Sequence, residues 1–159
     1  MATPKEKLSL EQYLERCGNA NVDFVQGLHD YMLENKGKVS FEVQKTSWLG
    51  SYKYKQRSVF NTLIKEHGLK VRIYGENIAA YPDFLQSLPA EMLDAIQQAA
   101  ACKWLVHGKC SPKCGGYDFY IADEHFQKCR YNCFEFLLTE TSKPFIKTFI
   151  EHEMAERRS

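Results

Sequence analysis

Apolar positions along the chain repeat first with a helical period. Phe24, Val25, Leu28, Tyr31 and Met32 predict a helix that starts near Asn21 and stops at Lys36-Gly37. Ahead of it, Ser9 and Gln12 have the spacing of a capping box, and the short helix they open ends at Cys17-Gly18-Asn19. Residues 1–8 read as a frayed tail. The period then changes to that of a strand: Val39, Phe41 and Val43 alternate with polar neighbours. The stretch "YKYKQR" at 52–57 alternates tyrosine and lysine. Val59 to Lys65 is a further strand or its continuation, and Glu66-His67-Gly68 is a hairpin turn into a return strand at 69–74.

Helices return at Tyr81, where Pro82 and then Pro89 suit first helical turns. Residues 90–105 read as one helix with Met92, Leu93, Ile96, Ala99 and Ala100 as its inner stripe, ended by Gly108. "YDFYI" and "HFQKCRYNCFEFLLT" then read as two strands around Ala122-Asp123-Glu124. Ser142 caps a last helix with Phe145, Ile146, Phe149 and Ile150 on one face, and 156–159 is a solvated end. Strands come in runs, so the expected class is α+β: an antiparallel sheet of about five or six strands flanked by about four or five helices. The hairpin at 117–138 is expected to join that sheet, because an isolated hairpin is marginal. A length of 159 residues fits a single domain.

Composition narrows the function classes. Hydrophobic residues at 44% supply a core and argue against disorder. A net charge of +1 gives no overall field toward nucleic acid or membrane. The start, MATPKEKLSLEQY, lacks the apolar stretch of a secretory signal, and no segment approaches the roughly 18–20 apolar residues of a membrane span. A cytoplasmic location is therefore expected. Thiols stay reduced there, and six cysteines point to metal, catalysis or packing before disulfides.

Four of those cysteines form two Cys-x3-Cys pairs, Cys110/Cys114 and Cys129/Cys133. The first pair sits among Pro112, Gly115 and Gly116, in a turn that lets two sulfurs approach one point. Zinc needs four ligands at tetrahedral corners, with sulfurs about 4 Å apart. On a straight strand, positions four apart share a face but lie about 13 Å apart. Zinc on Cys110, Cys114, Cys129 and Cys133 thus requires a bend between the last two. Cys102, His107 or His125 is an alternative fourth ligand. Reduced buried thiols and a redox-active pair flanked by Lys109, Lys113, Lys128 and Arg130 are the other readings.

Arg57, Arg72 and Arg130, with Tyr74, form a candidate ligand set. On one face they would make a cationic pocket for a small anion or carboxylate; otherwise they pair with glutamates such as Glu42 and Glu135. The basic and aromatic stretch 52–57 would stack bases if its rings were exposed, and is an ordinary solvated strand otherwise. Trp48 and Trp104 read as core anchors.

The segments "KYKQRSVF", "LKVRIYGENIAAY", "LPAEMLDAI", "CSPKCGGYDFYI" and "FQKCRYNCFEF" resemble an uncharacterised family of small bacterial α+β proteins with a cysteine-rich C-terminal hairpin. The resemblance runs from about residue 40 to the C terminus. It implies a single-domain, bacterial, cytosolic protein and transfers no functional residue. The expected function is a non-enzymatic small-molecule-binding or regulatory module, its candidate ligand a small anion, with a cysteine cluster that is a candidate zinc site. Alternatives are a thiol redox protein using Cys110/Cys114 or Cys129/Cys133, and a weak nucleic-acid binder through 52–57.

Overall fold

The computed structural model of the protein describes residues 6–108, 116–130 and 133–159. Its strands are β1 (Lys7–Leu8), β2 (Lys38–Val43), β3 (Trp48–Tyr54), β4 (Arg57–Lys65), β5 (Gly68–Ile73), β6 (Tyr117–Ile121), β7 (Glu124–Lys128) and β8 (Glu135–Leu137). Its helices are α1 (Leu10–Glu15), α2 (Val22–Glu34), α3 (Pro82–Gln86), α4 (Ala90–Gln98), α5 (Lys103–His107) and α6 (Ser142–Arg158), with one 3-10 turn at Ile78–Ala80. The fold is α+β, with a main antiparallel sheet of six strands in the order β1-β2-β3-β4-β5-β8. By compactness the chain divides into a first unit, residues 1–72 with 137–139, and a second, residues 73–136 with 140–159.

In the first unit the capping box forms: the Ser9 hydroxyl accepts from the Gln12 N–H at 3.1 Å, and the Gln12 side chain accepts from the Ser9 N–H at 2.9 Å. The tail is not wholly frayed, because Lys7 and Leu8 pair with Glu42 and Phe41. Helix α2 buries Val25, Leu28 and Met32 of the predicted stripe and leaves Phe24 and Tyr31 half-buried. Its stop falls at Lys36-Gly37, as expected, with the lysine and not the glycine as the left-handed residue. Lys36 takes the left-handed conformation, at φ +66°, and the Gly37 N–H donates to the Met32 carbonyl at 2.7 Å. Gly37 is required by space instead: a Cβ there would lie 2.9 Å from the Met32 carbonyl oxygen, which is backbone and cannot swing away.

Strands β3 and β4 are two strands, joined by Lys55 and Gln56 at φ +50° and +67°. Positive φ at both turn residues matches the twist of the flanking strands. Glycine and asparagine usually fill such positions, so this turn carries no mark in the sequence. Tyr13 and Tyr52, both without exposed surface, meet at Thr62. The Tyr13 hydroxyl lies 2.8 Å from Thr62 Oγ1 and donates to the Thr62 carbonyl at 3.1 Å. Burial pushes both phenols well above their ordinary range, so they stay neutral donors.

The second unit corrects three expectations. Hairpin β6–β7 does not join the main sheet but forms its own two-stranded sheet, and β8 alone enters the main one. The cause is a break after Lys128. The Cys133 N–H donates to the Cys129 carbonyl at 2.9 Å, a bond that a straight strand through both residues would not allow, and Phe134 follows at φ +60°. Second, residues 90–105 are not one helix. Helix α4 ends at Gln98 because the backbone beyond it pairs with β7: Cys102 N–H donates to the Gln127 carbonyl at 2.9 Å, and Cys129 N–H to the Ala100 carbonyl at 2.8 Å. The Lys128 ammonium donates to the Gln97 and Ala99 carbonyls, both at 2.9 Å, which closes the helix end. Helix propensity of an alanine run is a weak preference, and tertiary pairing overrides it. Third, Trp104 is no core anchor, with 38% of its surface exposed. The core of this unit centres instead on Phe149, whose ring meets Tyr81, Phe84, Phe134 and Phe136.

Candidate functional site

The apolar stripe of α6 runs through Ile146, Phe149 and Ile150 and then continues onto Glu153, which has no exposed surface. A buried carboxylate demands partners, and Glu153 has four donors. Asn77 gives its backbone N–H at 3.1 Å and its Nδ2 at 2.9 Å, Tyr81 gives its hydroxyl at 2.5 Å, and Arg157 gives Nε at 2.8 Å. Arg157 lies one helical turn further along the same stripe, its side chain 7% exposed. Its Nη2 also donates to the Tyr74 carbonyl at 2.7 Å. Burial, then the Glu153 carboxylate, push the Tyr81 phenol far above its ordinary range, so it remains a donor.

Glu76 extends this cluster outward. One oxygen accepts from Arg130 Nη2 at 2.5 Å, and the other lies 3.9 Å from Arg157 Nη2. Arg130 also stands over the Tyr74 ring, 5.7 Å from its centroid. Exposure rises along the series: Glu153 is closed off, the Glu76 side chain is 15% exposed and Arg130 is 26% exposed. Arg130 thus forms the rim and Glu153 the floor.

Tyr117, at the start of β6, completes the cluster. Its ring packs on Phe134 at 5.0 Å, and the residue is 4% exposed. Its hydroxyl has no hydrogen-bond partner among the described residues. Burial raises its ionisation well above the ordinary range. Arg130 opposes that shift, while Cys133, Glu76 and Glu153 reinforce it. The hydroxyl therefore sits within the field of these groups, neutral and unsatisfied.

No protein-family model, curated protein or solved structure matches the chain. The site is accordingly read from its own chemistry.

Of the predicted ligand set, Tyr74 and Arg130 come together in the second unit. Arg57 lies in the first unit, exposed at the start of β4 opposite Tyr54, and Arg72 lies on β5. Arg130 does pair with a glutamate, but with Glu76 in place of the expected Glu42 or Glu135. Asn77, Tyr81, Tyr117, Glu153 and Arg157 were absent from the predicted set. One mark was present: Glu153 and Arg157 continue the spacing of an apolar stripe, where charge needs a reason.

In the cysteine set, Cys110 and Cys114 lie outside the described residues. Cys129 is half-buried and Cys133 is buried, both as free thiols. Burial pushes the Cys133 thiol far up, which makes it a poor attacking group at neutral pH. Among the described residues no three His, Cys, Asp or Glu side chains gather as a metal site. In the stretch 52–57, Tyr52 is fully buried and stacks on Phe60 at 4.1 Å, so it offers no face to a base. No described helix is long and apolar enough to cross a membrane.

Proposed function

We propose that the protein is a small-molecule-binding module whose site is the corner formed by Tyr74, Glu76, Tyr117 and Arg130, and whose ligand is a small anion. The observation that carries this reading is the Tyr117 hydroxyl, buried and unpartnered among the described residues, with the charge of Arg130 acting on it. A buried polar group left unsatisfied costs about 1–3 kcal/mol, and such a cost points to a role. A ligand acceptor atom between Tyr117 and Arg130 would offset it.

Binding is tested by NMR titration of the full chain with sodium acetate and with sodium phosphate. Shifts confined to Gly75, Asn77, Arg130 and Phe134 are expected; no shift with either anion at millimolar concentration overturns the reading. A stability pair gives a second check. In ligand-free protein, Tyr117→Phe is expected to be neutral or to stabilise by about 1 kcal/mol, because it deletes an unsatisfied group. Tyr81→Phe is expected to cost about 1.5–3 kcal/mol, because it removes a donor from a buried carboxylate. Equal losses in urea denaturation would mean that Tyr117 is already satisfied, and would sink the proposal.

A second reading, structural zinc on Cys110, Cys114, Cys129 and Cys133, has one supporting observation. The Cys133 N–H donates to the Cys129 carbonyl at 2.9 Å, so these two residues stand closer than the roughly 13 Å of a straight strand, which supports joint chelation. Protein purified without chelator should then carry one zinc per chain by elemental analysis. Metal-free protein with full thiol titration would end this reading.

A further inference from the structure

Glu76 is held unequally by two arginines, with one oxygen 2.5 Å from Arg130 Nη2 and the other 3.9 Å from Arg157 Nη2. Arg157 lies deeper and is already anchored on Glu153 and the Tyr74 carbonyl. Arg130 is the more exposed of the two, paired with Glu76, and its charge acts on the Tyr117 hydroxyl. We propose that Glu76 is an internal stand-in for the ligand, that the ligand is a carboxylic acid, and that its carboxylate replaces Glu76 on Arg130 while Glu76 turns toward Arg157. This inference rests on the binding site proposed above and adds the ligand's chemical class and the way the site is gated.

Geometry and charge both support it. A guanidinium binds carboxylates through a planar fork, and the group already seated on Arg130 is a carboxylate, so an incoming one meets the same donor geometry. The incoming group also gains the Tyr117 hydroxyl, which Glu76 does not engage. The exchange needs only a short swing, since the receiving nitrogen stands 3.9 Å from the second Glu76 oxygen. Among the described residues, the ion pairs of the cluster join two guanidinium groups, Arg130 and Arg157, to two carboxylates, Glu76 and Glu153. With the positive charge already matched, a monoanion leaves one uncompensated charge and a phosphate dianion leaves two. Burying uncompensated charge is costly, so the site favours the monoanion.

The test compares acetate, benzoate and inorganic phosphate on wild type, Glu76→Gln and Tyr117→Phe, all as full chains, read by NMR shifts at Gly75, Arg130 and Phe134. Glu76→Gln removes the competing charge and should tighten carboxylate binding at least tenfold. Tyr117→Phe should weaken it at least fivefold, and phosphate should bind more weakly than either carboxylate. If Glu76→Gln weakens carboxylate binding, or phosphate binds best, the displacement inference is wrong while the anion site stands. If no anion shifts these resonances in any of the three proteins, the site itself is wrong. A denaturation midpoint for Tyr117→Phe no lower than that of wild type excludes misfolding as the source of its lost binding.

Discussion

Replacing Glu153 with glutamine is expected to destabilise the protein by about 3–5 kcal/mol, the range for removing one partner of a buried ion pair. Glu153 has no exposed surface, and its side chain is the meeting point of Asn77, Tyr81 and Arg157. Glutamine keeps the shape. It turns one acceptor oxygen into an NH2 donor, which faces donors already in place. It also leaves Arg157, 7% exposed, without its nearest countercharge. Water cannot make up either loss at such depth. The check is urea denaturation, with a lower midpoint expected at unchanged slope. A double variant, Glu153→Leu with Arg157→Met, removes both charges and should lose less than the sum of the two single changes. If Glu153→Gln costs under about 1 kcal/mol, the carboxylate is not the anchor of this cluster.

The second large effect lies in the first unit. Gly50→Ala is expected to cost about 2–5 kcal/mol, combining overpacking with the loss of a buried hydrogen bond. Gly50 sits in β3, opposite Phe41 on β2 and Thr62 on β4. A Cβ at this position would lie 2.3 Å from Thr62 Oγ1 and 3.0 Å from Tyr52 Cε2. Neither neighbour can yield cheaply, because Thr62 Oγ1 is bonded to Tyr13 at 2.8 Å and faces the Tyr52 hydroxyl at 3.3 Å. Moving Thr62 Oγ1 to relieve the clash costs two buried phenols a hydrogen-bond partner. Combining Gly50→Ala with Thr62→Ala opens space, so the pair should cost less than the sum of its parts, with a coupling above about 1 kcal/mol. Additive losses would show that the clash is relieved elsewhere.

The two units differ in how readable they were. In the first, local chemistry and final structure agree: the Ser9–Gln12 box caps α1, and the Val25, Leu28 and Met32 stripe of α2 is the buried one. The turn at Lys55-Gln56 was obscure because its left-handed residues are ones that seldom adopt that shape. In the second, the alanine-rich run was read as a continuous helix, since nothing within it reports that β7 will claim the backbone from Ala100 to Cys102. The straight strand expected through Cys129 failed for a similar reason. Its alternation continues in the sequence, but the turn closed by Cys133 and Cys129 redirects the chain into β8.

Part of the candidate site was legible as residue types and no further. Tyr74 and Arg130 were named for a cationic pocket, and they do meet. Arg57 and Arg72 were named by the same argument, and they belong to the other unit. Alternation along a strand tells which neighbours share a face, but not which of several basic residues from distant segments will converge.

The sequence by itself determined the class of the fold, the main strands and helices, and the cap of α1, because each depends on neighbours a few residues apart. Tertiary structure alone decided the site. Glu76, Asn77, Tyr117, Arg130, Glu153 and Arg157 come from four separate stretches, and no periodicity links one stretch to another. What joins them is burial: once α6 carries Glu153 inward, its charge must be matched by whatever the fold brings within reach. Tyr117 is the group which that matching leaves over.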